Sequence, residues 1–204
     1  DYINLGGKNM SKNKVTFGLK NVHIAFMVED ALEGITWETP IKIPGAVSFT
    51  PEPAGDTNIF YADDTQYFVM SSNNGYTGDL EMANFPDEVL AQALGWEIDD
   101  NGMLVEISDA IPKKFALMGE VQGDKRNRRF VYYDVQANRP SNENTTKTET
   151  IDPSTKTMPV TISPIEIGGK MIVKGDLELS DTNQTVYDGF FKDVYVPTFG
   201  TPEV

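Results

Sequence analysis

Cysteine is missing from all 204 residues. That excludes a disulfide framework, a thiolate metal site and a cysteine nucleophile, and makes a reducing cytoplasm the simplest compartment to expect. Histidine is nearly missing too: His23 stands alone, inside an alternating pattern between Val22 and Ile24. A catalytic base needs an acid, a nucleophile or a metal within reach. No arrangement in the sequence singles His23 out, so it is expected at the surface or in an interface. Bases are scarce, with 17 Lys and Arg against 31 Asp and Glu, and the net charge of −14 repels phosphate backbones. Tight binding of DNA or RNA is therefore not expected. No apolar run approaches the roughly 20 residues that cross a bilayer, and residues 1–14 lack the basic-then-apolar plan of a signal peptide.

The compact signatures of common chemistries are absent as well. There is no phosphate-cradling glycine loop, zinc-ligand spacing or nucleophile elbow. Asp99-Asp100-Asn101-Gly102 has the composition of an opening calcium loop, but without the spacing and closing glutamate of an EF-hand it reads as a turn. Asp63 and Asp64 are a candidate carboxylate pair, yet neighbours on a strand face opposite ways and would not share one substrate. Asn144-Thr145-Thr146 and Asn183-Gln184-Thr185 match the glycosylation pattern, which is short enough to arise by chance. The expectation is a protein that is not an enzyme, with no catalytic residue, metal or cofactor.

What is present is a β-rich pattern. The chain is 39% hydrophobic, with 17 Gly, 12 Pro, 11 Phe and 8 Tyr, which suits a globular β protein of one domain. Met10-Ser11-Lys12 reads like an initiator, so residues 1–9 are expected to be an expression remnant or N-terminal extension and 10–204 the domain. Val15, Phe17 and Leu19 alternate, and Val22, Ile24, Phe26 and Val28 resume on the opposite parity. That predicts a strand interrupted by a bulge or tight turn at Lys20-Asn21.

Short strands are expected at 35–43 and 46–49, around Pro40 and Pro44. Residues 50–65, rich in Pro, Gly and Asp, read as a long loop whose Ile59, Phe60 and Tyr61 bury it against something. Segments 66–72 and 76–82 flank Ser72-Asn73-Asn74-Gly75, a hairpin turn by composition. Pro86, the acids Asp87 and Glu88, apolar Val89, Leu90, Ala93 and Leu94, and Gly95 as a stop predict a short helix lying on a sheet.

Further strands are expected at 103–107, 115–121 and 130–137. Lys125, Arg126, Arg128 and Arg129 cluster at a Gly-Asp turn, read as a solvated hairpin tip or subunit contact, with anion binding as the alternative. Polar 138–157 reads as an extended arm or loop. A last hairpin is expected across Gly168-Gly169, joining 159–167 to 170–179. Asp181 is expected to cap a second helix carrying Val186, Tyr187, Phe190, Phe191 and Val194 on one side. The sum is a mainly β fold, a β-sandwich or partly closed barrel with one or two short flanking helices and long loops at about 50–65 and 138–157.

Several ordered pieces carry a resemblance: Val15-Thr16-Phe17-Gly18-Leu19-Lys20-Asn21-Val22, Phe60-Tyr61-Ala62-Asp63-Asp64, and Gly75-Tyr76-Thr77-Gly78-Asp79-Leu80-Glu81 running into the Pro86 helix. Later come Phe115-Ala116-Leu117-Met118-Gly119-Glu120, Arg139-Pro140-Ser141, and Thr146-Lys147 before Pro153 and Thr155. In this order and spacing, from Met10 onward, the chain resembles the major tail protein, or tail tube protein, of long-tailed bacteriophages of the phi13 type. The resemblance implies a tail-tube fold, a β-sandwich with a flanking helix, that closes into hexameric rings. The rings stack into a tube through which DNA passes without specific binding. It implies a virion protein assembled in the host bacterial cytoplasm, with further copies, a tape measure protein, a tail terminator and distal tail proteins as partners.

In such tubes long loops and terminal arms reach the neighbouring ring, so 50–65, 138–157 and the tail after Val196 become interface candidates. The residues expected there and at the basic turn are Asp56, Phe60, Tyr61, Asp63, Asp64, Arg126, Arg128, Arg129, Arg139 and Lys147. An acidic wall lets DNA slide because it avoids the counterion-release affinity of a basic one. The rival readings are a glycan-binding or adhesin-like β-sandwich, for which Trp37, Trp96 and the tyrosines would serve, and a hydrolase using a carboxylate pair.

Overall fold

The structure, a computed structural model, describes residues 15–30, 34–55, 57–62, 65–123, 126–140 and 155–199. The first strand is β1 (Thr16–Asp30), followed by the short strands β2 (Gly34–Trp37) and β3 (Ile41–Lys42). Next come β4 (Ala46–Pro53), β5 (Thr57–Ala62), β6 (Thr65–Ser71), β7 (Tyr76–Met82), the helix α1 (Asp87–Leu94), β8 (Glu97–Ile98) and β9 (Leu104–Val105). The second half holds β10 (Phe115–Gly123), β11 (Arg128–Ala137), β12 (Lys156–Ile162), β13 (Ile165–Ile167), β14 (Lys170–Ile172), β15 (Lys174–Glu178) and the helix α2 (Gln184–Gly189). Nine of these strands form one antiparallel sheet in the order β2-β1-β10-β11-β12-β7-β4, with β3 also on β1 and β15 also on β11. The expected mainly β class holds. Among the described residues the sheet stays open, running from β2 to β4 without closing into a barrel.

The parity break in β1 is real and consists of two bulges. The register against β10 slips between Phe17 and Leu19 and again between Lys20 and His23. Gly18 (φ 72°) and Asn21 (φ 52°) sit in those slips with left-handed backbone, which Gly and Asn adopt more cheaply than other residues. After the second bulge Val22, Ile24 and Phe26 share one face, and Ala25 and Met27 the other.

Both faces of β1, β10 and β11 are buried. On the inner face Ile24, Phe115 and Leu117 meet Leu80 of β7 and Met158 of β12, and α1 covers them with Val89, Leu90, Ala93 and Leu94. On the outer face Met27, Met118 and Val131 are covered by Ile165 and Ile167 of β13 and by Phe190 just beyond α2. Double burial explains why Phe115–Gly123 begins with six buried residues in a row and shows no alternation. Helix α1 forms as expected, with Pro86 one position further out, at the N-cap, and Gly95 (φ 71°) closing it in the left-handed region. A side chain on Gly95 would also strike the Ile111 carbonyl, 2.6 Å from an added Cβ.

Several expectations are corrected. Residues 50–65 are not a long loop: β4 runs on to Pro53, and Thr57–Ala62 is a strand paired with Thr65–Ser71. Segments 66–72 and 76–82 do not pair with each other, because β6 takes β5 while β7 takes β4 and β12. The 103–107 strand shrinks to Leu104–Val105, held to β8 by the Asp99 turn, where Asp99 Oδ1 accepts from the amides of Asn101 (2.9 Å) and Met103 (2.7 Å).

Gly168 (φ 59°) and Gly169 (φ 74°) do make the tight turn, but only β13 and β14 pair across it. The outer arms, β12 and β15, lie end to end along one edge of β11. Of 138–157, Asn138 continues the ladder to the Pro159 carbonyl (2.8 Å), Lys156 and Thr157 belong to β12, and 141–154 fall outside the described residues, as do 1–14.

The second helix differs most. Asn183, not Asp181, stands at its N-cap, with its side chain turned back to accept from the Ser180 amide (2.7 Å) and donate to the Glu178 carbonyl (2.9 Å). It ends at Gly189, where the Tyr187 carbonyl accepts from both the Phe190 amide (3.3 Å) and Arg129. Phe190, Phe191 and Val194 still pack inward, from the turn and the irregular chain that follow the helix.

Gly119 faces Phe130 across β10 and β11, and an added Cβ would lie 2.5 Å from the Phe130 ring. That ring is wedged between Phe49 and Tyr132, with centroids 6.0 Å and 5.8 Å away, and has little room to move. Gly119→Val is therefore expected to lower stability by about 1–3 kcal/mol, measurable by urea denaturation.

Candidate assembly surfaces

β4 and β7 pair from Ala46 opposite Met82 to Pro53 opposite Tyr76. The ladder is then drawn shut: the Ala54 amide donates to the Gly75 carbonyl (2.9 Å), the Asn74 amide to the Ala54 carbonyl (2.9 Å), and the Gly75 amide to Asn73 Oδ1 (3.1 Å). Ser72-Asn73-Asn74-Gly75 is thus a waist rather than a hairpin tip. Gly75 is demanded there, since φ is 95° and an added Cβ would sit 1.8 Å from the Ile162 carbonyl oxygen.

Through this waist β5 and β6 leave the sheet as a two-stranded hairpin that, among the described residues, shares a strand ladder with no other strand. Ile59 lies opposite Val69 and Phe60 opposite Phe68 in its register. A two-stranded ribbon is marginal in water by itself, and this one carries apolar residues on both strands. Phe60 and Tyr61 stand on β5; Asp56, Asp63, Asp64 and Lys147 lie outside the described residues.

The basic turn between β10 and β11 is used mostly inside the chain. Arg129, its side chain 15% exposed, donates from Nε to Glu120 (2.9 Å) and also to the Tyr187 carbonyl. Its guanidinium lies over the rings of Tyr187 (3.8 Å to the centroid) and Phe191 (4.8 Å). Glu120, 3% exposed, is held further by Asn127 Nδ2 (2.8 Å) and Lys20 Nζ (3.3 Å). Arg126 donates to the Leu179 carbonyl.

Arg128 remains exposed, 3.9 Å from Asp176, and Arg139 pairs with Glu106 at 2.8 Å in an exposed bridge of small energetic weight. A solvated tip therefore describes Arg128 and not Arg129. Glu120 was the missed clue. A charge inside the run from Phe115 to Val121 is buried with its strand and must be answered by a base.

His23, expected at the surface or in an interface, is buried within the subunit. Its Nδ1 donates to the Asn21 carbonyl (2.8 Å), and its ring stacks on Phe191 with centroids 4.5 Å apart and planes 20° from parallel. Burial lowers its pKa from 6.5; the Asn21 carbonyl raises it and the Lys42 charge lowers it further.

Two further features could meet another molecule. β2, β4 and β15 are each paired along one side only, and unpaired strand edges invite strand addition. Pro51 and Pro53 blunt β4, while β15 carries no proline. Beside β15 an apolar cleft of ≈ 240 Å³ opens between Tyr133, Leu177, Phe190 and Phe199. The Tyr133 hydroxyl donates to the Tyr195 carbonyl (3.0 Å) at its edge, and burial pushes that phenol to about 12.

Among the described residues no helix is long and apolar enough to cross a membrane, and no group of three or more potential ligands could hold a metal ion. Compared with known proteins, the chain matches no family model and no curated sequence.

Removing Glu120 would leave Arg129 and Lys20 facing an apolar seam without their counter-charge. Glu120→Ala is expected to cost about 3–5 kcal/mol, read as a lowered denaturation midpoint. Arg129→Lys should fail to preserve stability although it keeps the charge, because an ammonium cannot match the planar stack and fork.

Proposed function

We propose that this chain is a self-assembling structural subunit, the tail tube protein of a long-tailed phage, whose copies close into hexameric rings that stack into a DNA conduit. The observation that supports the reading is the β5–β6 hairpin, a ribbon rich in apolar residues that leaves through a narrow waist and, among the described residues, makes its strand ladder only with itself. Such a ribbon is stabilised by packing on a neighbouring subunit. The one-sided strands supply a second requirement, since ring closure by strand addition needs a free edge on the subunit. The charge of −14 suits a channel that must not bind its cargo.

On this reading the open sheet with both faces covered is the sandwich of the tail-tube fold, and the virion is the protein's location. Further copies, a tape measure protein, a tail terminator and distal tail proteins are its partners. Asp56, Phe60, Tyr61, Asp63 and Asp64 belong to the hairpin contact, Arg128 to a neighbouring surface, and Arg139 and Lys147 to the arm that follows β11. One observation favours a second reading, a glycan-binding or adhesin-like module: the aromatic cleft beside β15, whose exposed Tyr195 and Phe199 could stack on a sugar.

Negative-stain microscopy with solution mass across a concentration series separates the two. Rings or tubes of uniform diameter with a central hole are expected. Joining Ala54 to Gly75 by a two-residue turn in place of the hairpin should leave the thermal midpoint within a few degrees and abolish the rings. A persistent monomer that binds in a glycan screen would replace the tube reading.

A further inference from the structure

The described C-terminal stretch, α2 through Phe199, packs on the outer face of the sheet by a small set of contacts. Arg129 grips Tyr187 and Phe191, the Tyr187 hydroxyl donates to the Asn127 carbonyl (3.0 Å), and Phe191 lies flat on His23. We infer that this stretch is an acid-released latch, in which protonation of His23 beneath Phe191 undocks it and bares the outer face of β1. The inference does not depend on the tube reading and concerns the single subunit.

The geometry puts the proton in an unfavourable place. The Phe191 face would attract an imidazolium, but His23 is buried and the Arg129 guanidinium already lies over the same ring and would repel a second cation there. From β3, Lys42 stands opposite His23 in register and disfavours its charge. From β1 and β10, Lys20 and Glu120 are already paired to each other, and Glu120 is also engaged by Arg129 and Asn127. It has little left to offer a new cation. From the C-terminal stretch, Asp188 holds Gln184 (2.8 Å), while Lys192 and Asp193 are exposed. The Asn21 carbonyl accepts from Nδ1 and favours the charged ring, but burial outweighs it.

Linkage fixes the sign. The docked state holds the His23 proton more weakly than an undocked, solvated ring does, so acid favours undocking. The latch is at full strength above pH 6.5 and weakens as the pH falls from there toward the lower pKa of the docked ring. Ordinary surface carboxylates titrate near pH 4, below this window. The face bared includes Met27, Met118 and Val131.

Because His23 is the sole histidine, its ring titration can be followed by NMR without ambiguity, alongside hydrogen-exchange protection factors of residues 184–199 from pH 7.5 to 5.5. Protection in that stretch should fall several-fold, with a midpoint that tracks the ring titration, while protection in β10 and β11 holds. His23→Phe keeps a stacking ring without a proton site and should abolish the fall. Phe191→Ala should undock the stretch already at pH 7.5. Protection that stays constant in the native protein, a midpoint that departs from the His23 titration, or an undiminished fall in His23→Phe would each overturn the latch.

Discussion

The central stretches of β1, β10 and β11, Val22–Met27, Phe115–Glu120 and Phe130–Val135, are buried on both faces, so the polar groups they carry have to be answered from within the chain. Burying an unpaired charge costs several kcal/mol, and β10 and β11 meet that demand at Glu120 and Asp134, whereas Glu178 Oε1 on β15 is buried without a partner among the described residues. Asp134, 7% exposed, takes Lys114 Nζ at 2.8 Å, and its carbonyl accepts from the Ser163 amide. The Tyr133 carbonyl accepts from the Trp37 indole at 3.2 Å, which ties β2 to β11 across the outer face. Glu120 engages Arg129, and through Arg129 the constraint reaches the Tyr187 carbonyl of α2 and the ring of Phe191, which lies over His23. The C-terminal stretch is positioned by a carboxylate almost seventy residues earlier in the chain.

The same sheet extrudes two hairpins, and their contrast separates architecture from interaction. β13–β14 leaves between β12 and β15, folds back, and buries Ile165 and Ile167 on the outer layer. Its apolar residues are satisfied by the subunit. β5–β6 leaves between β4 and β7 through a waist closed by backbone hydrogen bonds, and within the sheet it pairs only with itself. Both satisfy their backbone groups locally. The first returns as a layer of the subunit's own core.

What could be read from the sequence was governed by solvent. Where a strand has one wet face, as in β7 with its alternating Leu80 and Met82, the period of two is plain. The bulge in β1 was legible because a change of parity has few other causes, and α1 because Pro86, Gly95 and a one-sided apolar face agree. Partner choice was not legible. Composition marks Ser72 to Gly75 as a turn, but whether β7 turns back on β6 or across the hairpin onto β4 depends on Gly75 fitting against Ile162, a contact 87 residues away. Arg129 was misplaced for a related reason. Four bases in five positions resemble a solvated tip, and only the buried Glu120 facing them across the β10–β11 pair reveals that one is spent inside. His23 was misplaced because its cover, Phe191, arrives from the far end of the chain.

These internal pairings also bear on the charge seen from outside. Arg129 and Lys20 are engaged with Glu120, and Lys114 with Asp134, so the buried pairs nearly cancel and the excess of acids lies on the surface. On the proposed function, copies of the chain would meet against mutual repulsion, softened only over distances beyond the Debye length of about 8 Å at physiological salt. Association has to be driven by short-range terms that a like charge does not oppose directly, namely apolar burial and backbone pairing along a strand edge. The hairpin and the one-sided strands are the features able to provide them. Repulsion between the remaining surfaces then penalises other arrangements and favours the register that those contacts specify.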